Sequence, residues 1–264
     1  MLWKASGLKG RVITASDGKL GSVSDFLFDD GSWRLRWLVI DTGHWLSGRK
    51  VLLPMSVLGH LEPRDKEFPV RLTMQQVKDS PNVDTERPVS RQMETSVYDH
   101  YGWAPYWGTG FYMTGSGYYG GGVGLSVPPG SARREKDLAD AQRERDDPHL
   151  RSIEAVTGYH IRASDGEIGH VEDFLIEDGD WSIHYLIVDT RNWWPGKRVL
   201  VSPGSTREID WTERLVKLNV DRQKIKDSPP YDPSTTVDRA YETQFRDHYG
   251  AVQPKPQPAQ VVAP

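Results

Sequence analysis

Ala15-Ser16-Asp17-Gly18-Lys19-Leu20-Gly21-Ser22-Val23-Ser24-Asp25-Phe26-Leu27-Phe28-Asp29-Asp30-Gly31 is written a second time as Ala163-Ser164-Asp165-Gly166-Glu167-Ile168-Gly169-His170-Val171-Glu172-Asp173-Phe174-Leu175-Ile176-Glu177-Asp178-Gly179. The same 148-residue offset relates Asp41-Thr42 to Asp189-Thr190 and Lys78-Asp79-Ser80-Pro81 to Lys226-Asp227-Ser228-Pro229. It also relates Asp99-His100-Tyr101-Gly102 to Asp247-His248-Tyr249-Gly250. Residues from about 8 to 102 therefore align with about 156 to 250 without a net gap, and about a third of the positions are identical. Solenoid repeats run roughly 20–50 residues, so this period indicates two copies of a whole small domain. A length of 264 residues, at roughly 150 per domain, agrees.

Each copy reads as β-rich. Short strands are expected over residues 10–14 and 20–29, the second ending at the turn Asp29-Asp30-Gly31. Trp33-Arg34-Leu35-Arg36-Trp37 alternates apolar and polar side chains, the mark of a half-buried strand, and runs on into Leu38-Val39-Ile40, apolar on both faces. Trp181, Ile183 and Tyr185, followed by Leu186-Ile187-Val188, repeat the pattern. Further strands are expected at 50–53, 58–62 and 70–72. Short strands at close spacing favour a small barrel or sandwich, and closure removes exposed edges. Only short helices fit: Thr73 can cap one over 74–79, stopped by Pro81, and others span 91–101 and 239–249, each ending at a glycine.

The fold class expected is mainly β: two tandem small barrels with short terminal helices. The first domain covers 1–102 and the second 151–250. Residues 103–150 between them hold a Gly/Tyr-rich linker and a charged segment, and 251–264 form a Pro/Gln/Val-rich tail expected to be disordered.

Composition excludes several function classes. With no cysteine there is no disulfide framework, Cys-based zinc site, iron–sulfur cluster or Cys nucleophile. Residues 1–102 carry net charge +1 and 155–264 carry −4, so neither copy is an electrostatic funnel for nucleic acid. No Gly-rich phosphate loop, Gly-x-Ser-x-Gly elbow or His-Glu-x-x-His motif occurs. No stretch reaches the ~20 apolar residues of a membrane span, and a cytoplasmic location is the expectation.

Taken together, Ala-Ser-Asp-Gly, a glycine three residues later, Val-x-Asp-Phe, a long strand ending in Asp-Thr, and the Gly-Arg-Lys-Val-Leu and Gly-Lys-Arg-Val-Leu runs resemble the PRC-barrel domain. This β-barrel occurs in the cytoplasmic part of the photosynthetic reaction-centre H subunit and in the C-terminal half of the ribosome maturation factor. The resemblance covers both copies. It implies a six-stranded barrel and a binding or adaptor role, since the members with known roles are not catalysts. The family's proline near the end of the fourth strand fits Pro54; the second copy has Ser202-Pro203, one residue later, and the rim there is expected to differ.

Candidate site residues fall into four groups. Asp17-Gly18 and Asp165-Gly166 read as turn chemistry. Asp41 and Asp189 end the most apolar strands and are expected to cap a loop or meet Arg49 or Lys197. His100 and His248 invite a metal or relay reading; however, one His and one Asp fall short of the three protein ligands usual for catalytic zinc, and docking of the terminal helix is favoured. The fourth group is the loops holding Trp45, Arg49 and Lys50, and Trp193, Trp194, Lys197 and Arg198. Each sets apolar rings beside a cationic pair, the composition that interface hot spots favour. The competing reading is that the Trp ring folds back over the barrel mouth.

The expected function is a non-enzymatic protein-binding or scaffold module, without catalytic residues, metal or cofactor. Its partner would be a protein, and a homodimer is left open. The alternative is an enzyme or ligand- or metal-binding protein using carboxylates and His at the cleft between barrels. A ribosome- or RNA-associated role, or one in reaction-centre assembly, rests on family analogy alone.

Overall fold

The computed structural model describes residues 1–46, 48–58, 67–81, 91–103, 150–190, 197–235 and 237–250. The copies form two antiparallel-rich sheets of matching layout. In the first copy, β2 (Val12–Ala15), β3 (Gly18–Asp29), β4 (Arg34–Asp41), β5 (Lys50–Pro54) and β6 (Glu67–Pro69) run in the order β5-β4-β3-β2-β6. In the second, β8 (His160–Ala163), β9 (Gly166–Glu177), β10 (Ile183–Asp189), β11 (Arg198–Val201), β12 (Thr206–Asp210) and β13 (Leu215–Leu218) run β11-β10-β9-β8-β13-β12. In both, a parallel pair closes the turn back: β6 on β2 and β13 on β8. The terminal strands of each sheet do not pair among the described residues, so these are curled, barrel-like sheets rather than the closed barrels expected.

Strand boundaries follow the turn chemistry. Strand β3 begins at Gly18, two residues earlier than expected, because the Asp17-Gly18 turn hands directly into it. Strand β6 lies at 67–69 rather than 70–72. The strand expected at 58–62 falls largely outside the described residues, while its repeat partner is β12. Gly21 and Gly169 show why glycine recurs three residues after the turn. Their φ values are +150° and +147°, and a Cβ would lie 2.1 Å from the Asp41 carbonyl oxygen and 2.0 Å from that of Asp189. After Pro54 and Ser202 the two rims make the same 3-10 turn, Met55–Val57 and Pro203–Ser205. In the second copy the Ser202 hydroxyl caps that turn by accepting from the Gly204 amide, so the shifted proline leaves the rim shape unchanged.

The helices match expectation closely. Helix α2 (Met74–Lys78) carries a full capping box between Thr73 and Gln76. Helices α3 (Arg91–Tyr101) and α6 (Arg239–Tyr249) lead into Gly102 and Gly250, both at positive φ. Val97 and Tyr98 of α3 pack on Leu27, Trp37, Val39 and Leu52; Phe245 of α6 packs on Leu175, Ile187 and Leu200. Strands β3–β5 and β9–β11 are thus buried on both faces, which is why their alternation lapses into continuous apolar runs.

The other face of each sheet belongs to one core shared by both copies, and the copies exchange their N-terminal arms. Strand β1 (Leu2–Lys4) adds to β9 of the second copy, pairing Leu2 with Glu177 and Lys4 with Leu175. Strand β7 (Leu150–Ser152) adds to β3 of the first, pairing Leu150 with Asp29 and Ser152 with Leu27. The two registers are related by the 148-residue offset, so a pseudo-twofold axis runs between the copies. The short helices that follow, α1 (Ala5–Leu8) and α4 (Ile153–Val156), bury Ala5, Leu8, Ile153 and Val156 in the shared core. On the axis, the Leu35 amide donates to the Trp181 carbonyl and the Ile183 amide to the Trp33 carbonyl, both at 2.8 Å. Trp33 and Trp181 sit at φ 56° and 57°, a left-handed conformation unusual for a bulky residue. They are corner residues before the strands, not the first strand residues their alternation suggested. The Trp33 ring stacks on Phe28 at 5.4 Å, and Phe28 meets Phe174 of the other copy at 5.9 Å.

Candidate functional site

The repeated polar residues hold short helices to their sheets. Asp17, in the turn before β3, accepts from the Met74 amide at 2.8 Å; Asp165 accepts from the Arg222 amide at 2.8 Å and takes the Arg222 guanidinium at 3.4 Å. A carboxylate over exposed amides at a helix start is favourable, and the Arg222 amide bond holds the Asp165 carboxyl below the usual aspartate range. Helix α5 (Arg222–Lys226) is therefore anchored as α2 is.

The opposite ends of these helices are held by the loop cations. Arg49 donates through Nη1 to the Lys78 carbonyl at 3.1 Å and through Nη2 to the Ser80 carbonyl. Lys197, at the equivalent position, donates to the Lys226 and Ser228 carbonyls at 2.5 and 2.6 Å. A cation beside the carbonyls of a helix C-terminus satisfies acceptors that the helix itself leaves open. Burial lowers the Lys197 ammonium below its ordinary value. Of the two roles expected for these carboxylates, Asp41 takes the loop cap, accepting from the Gly43 amide at 2.8 Å rather than meeting Arg49, and Asp189, 1% exposed, lies 4.0 Å from His170 Nε2. The Thr hydroxyls of the two Asp-Thr pairs tie the loop shut, donating to the Arg49 carbonyl at 2.6 Å and the Lys197 carbonyl at 2.7 Å.

His100 Nε2 lies 2.9 Å from the Gln76 carbonyl and His248 Nε2 2.7 Å from that of Lys224. Each docks its terminal helix onto the short helix of its own copy. Asp41, His100 and Asp189 thus bond within their own copies and are not brought into one cleft. Among the described residues no cluster of three or more His, Asp or Glu is placed to hold a metal ion.

Of the loop candidates, Trp45 folds back: its ring packs on the core and Nε1 donates to the Leu20 carbonyl at 2.6 Å. Lys50 pairs in register with Asp41 at the start of β5, and Arg198 donates to Glu172 at 2.5 Å. Trp193 and Trp194 lie outside the described residues.

Two features escaped the sequence. The first is the Asp of each Val-x-Asp-Phe. Asp25, 3% exposed, accepts from the Ser152 hydroxyl at 2.5 Å and the Glu154 amide at 3.0 Å. Asp173 accepts from the Ser6 hydroxyl at 2.5 Å and the Ser6 amide at 3.2 Å. Each carboxylate grips the arm of the other copy. Desolvation pushes the Asp25 carboxyl above the ordinary aspartate value, partly offset by the Ser152 bond. A buried Asp in an otherwise apolar strand was the available signal; its partner, about 127 residues away, was not readable.

The second is a groove of about 450 Å³ at the seam. Arg34, Arg36, Met55, Tyr98 and Trp103 reach it from the first copy and Trp181 from the second. Trp103 stacks on Tyr101 with ring centroids 4.2 Å apart and planes 16° off parallel. Arg34 spans the seam to Asp180 at 2.8 Å, while Arg36 donates to the Ser32 hydroxyl at 3.0 Å. The pseudo-twofold does not repeat this chemistry: Ser182, His184, Pro203 and Arg246 stand where Arg34, Arg36, Met55 and Tyr98 would recur.

Among the described residues no helix is long and apolar enough to cross a membrane. No curated protein matches the chain. Residues 8–76, which hold the Asp17-Gly18 turn, β2 to β6 and the start of α2, match the family model of the PRC-barrel domain, so the sheet of the first copy is similar to that family.

Proposed function

We propose that this protein is a non-enzymatic binding or scaffold module that receives a protein segment in the seam groove. The observation that carries the reading is the groove's make-up: half-buried Trp103 and Trp181 beside Arg34 and Arg36, built from both copies, with a set of residues that the 148-residue repeat does not reproduce. Aromatic rings and guanidinium groups in a partly desolvated groove are what interface anchors use. The commitment of Asp17, Asp165, Arg49, Lys197, His100 and His248 to fold contacts supports a binding role over an acid–base one. The PRC-barrel domain, whose known members are binding and adaptor modules, supports it too.

A peptide library selected against the full chain tests this. Enriched peptides are expected to carry aromatic or other large apolar residues and to lose at least roughly tenfold in affinity against Trp103→Ala or Arg36→Ala. Selected peptides that bind both variants unchanged would refute the assignment of the groove.

A further inference from the structure

We propose that residues 1–103 and 150–250 are obligate binding partners of each other: the chain is a joined pair of protomers whose seam holds when the connection between them is cut.

Four observations carry this. Each sheet takes a strand from the other half, β1 on β9 and β7 on β3, so neither half holds its own arm. Each arm is gripped by a carboxylate of the opposite half, Asp173 on Ser6 and Asp25 on Ser152 and Glu154. The apolar face of both sheets belongs to one core, so separating the halves would uncover Phe28, Trp33, Phe174 and Ile183 together. The axis bonds between Leu35 and Trp181, and between Ile183 and Trp33, are main-chain bonds that link the two strand corners directly. None of these contacts uses residues 104–149.

Two of the ion pairs across the seam also favour the mixed partner, whereas Arg151–Asp30 at 2.7 Å would recur between two second halves as Arg151 against Asp178. Arg34–Asp180 at 2.8 Å and Lys9–Glu154 at 3.4 Å exist only between unlike halves. By the 148-residue shift, two first halves would set Arg34 against Ser32 and Lys9 against Ser6; two second halves would set Ser182 against Asp180 and Thr157 against Glu154. Exposed pairs add little affinity, but each mixed pairing keeps both ions matched where a like pairing leaves one unmatched.

The test uses the full chain carrying a specific protease site within 104–149, folded first and then cut. The two fragments are expected to co-elute in equal amounts on size exclusion, with the circular dichroism of the uncut protein, and to separate only in denaturant. Cutting the Asp25→Ala, Asp173→Ala double variant is expected to give at least roughly tenfold faster dissociation, measured by exchange of a labelled fragment. Fragments that elute apart as folded species would overturn the proposal, as would self-association of either fragment in preference to the mixed pair. A second measurement on the uncut wild type covers a site that disturbs folding. Hydrogen exchange at the amides of Leu35, Ile183 and Glu154 should proceed only with global unfolding. Exchange of these amides at low denaturant, with the rest of β4 and β10 still protected, would equally overturn it.

Discussion

Replacing Asp25 with alanine removes a buried carboxylate that holds the second copy's arm. The loss is large because both partners become stranded. The buried Ser152 hydroxyl and the part-buried Glu154 amide each lose an acceptor, at about 1–3 kcal/mol per group when water is excluded. Two terms reduce the sum. Ser152 Oγ still accepts from the Ala155 amide at 2.9 Å, so the helix cap survives, and the buried carboxylate carries its own desolvation penalty. A net loss of about 3 kcal/mol is expected, and less, about 1–2 kcal/mol, for Asp25→Asn, which keeps one acceptor oxygen. Urea unfolding monitored by Trp fluorescence and circular dichroism measures both. The double-mutant cycle of Asp25→Ala with Ser152→Ala should return a coupling of about 1–2 kcal/mol. pH supplies a further check. The folded Asp25 carboxyl titrates above its unfolded value, so the native state binds more protons between the two, and this group's contribution is lost as pH rises through the folded value. Asp25→Asn lacks that term, so its penalty should be larger near the ordinary aspartate pKa than at neutrality. A loss for Asp25→Ala below about 0.5 kcal/mol, or strictly additive single mutants, would refute the arm-gripping role.

Other perturbations probe the remaining contacts. Arg49→Ala should cost about 1–2 kcal/mol in chemical denaturation by exposing the Lys78 and Ser80 carbonyls, whereas Arg49→Lys should cost under about 1, since Lys197 performs the same task in the second copy. Gly21→Ala should destabilise by at least about 3 kcal/mol, seen as a lowered Tm or insoluble expression, because its Cβ would meet a carbonyl oxygen at 2.1 Å. Burial pushes the phenols of Tyr185 and Tyr249 up to about 12. Phenolate absorbance should therefore show a late-titrating fraction, and stability should fall as pH rises from 10, the ordinary tyrosine value, through 12, because the folded state retains protons the unfolded state has released. Tyr249→Phe should shrink that alkaline loss.

Much of the fold was legible because it is local. The Asp17-Gly18 turn, the Thr73 cap, the glycines after Tyr101 and Tyr249, and the lapse of alternation at Leu38-Val39-Ile40 each depend on neighbours a few residues away. The docking roles of His100 and His248 were readable for the same reason: one helix end and one short helix decide them. The helix contacts of the loop cations were not legible, because Arg49 and Lys197 sit beside Trp residues in the chain but beside helix carbonyls in space. Nothing around Asp25 in the chain shows that Ser152 is its partner.

The sequence by itself determined that two copies of one β-rich domain exist, where their turns and helices fall, and which strands are buried on both faces. Periodicity and turn chemistry are short-range properties, and the 148-residue repeat reports them twice. Only the tertiary structure decided that the copies share one core and trade arms. An arm strand such as Leu2–Lys4 can complete its own sheet or its neighbour's with the same residues, since strand pairing is set by backbone hydrogen bonds common to both. The choice falls to contacts between residues more than a hundred positions apart, and it is that choice which creates the seam and the groove upon it.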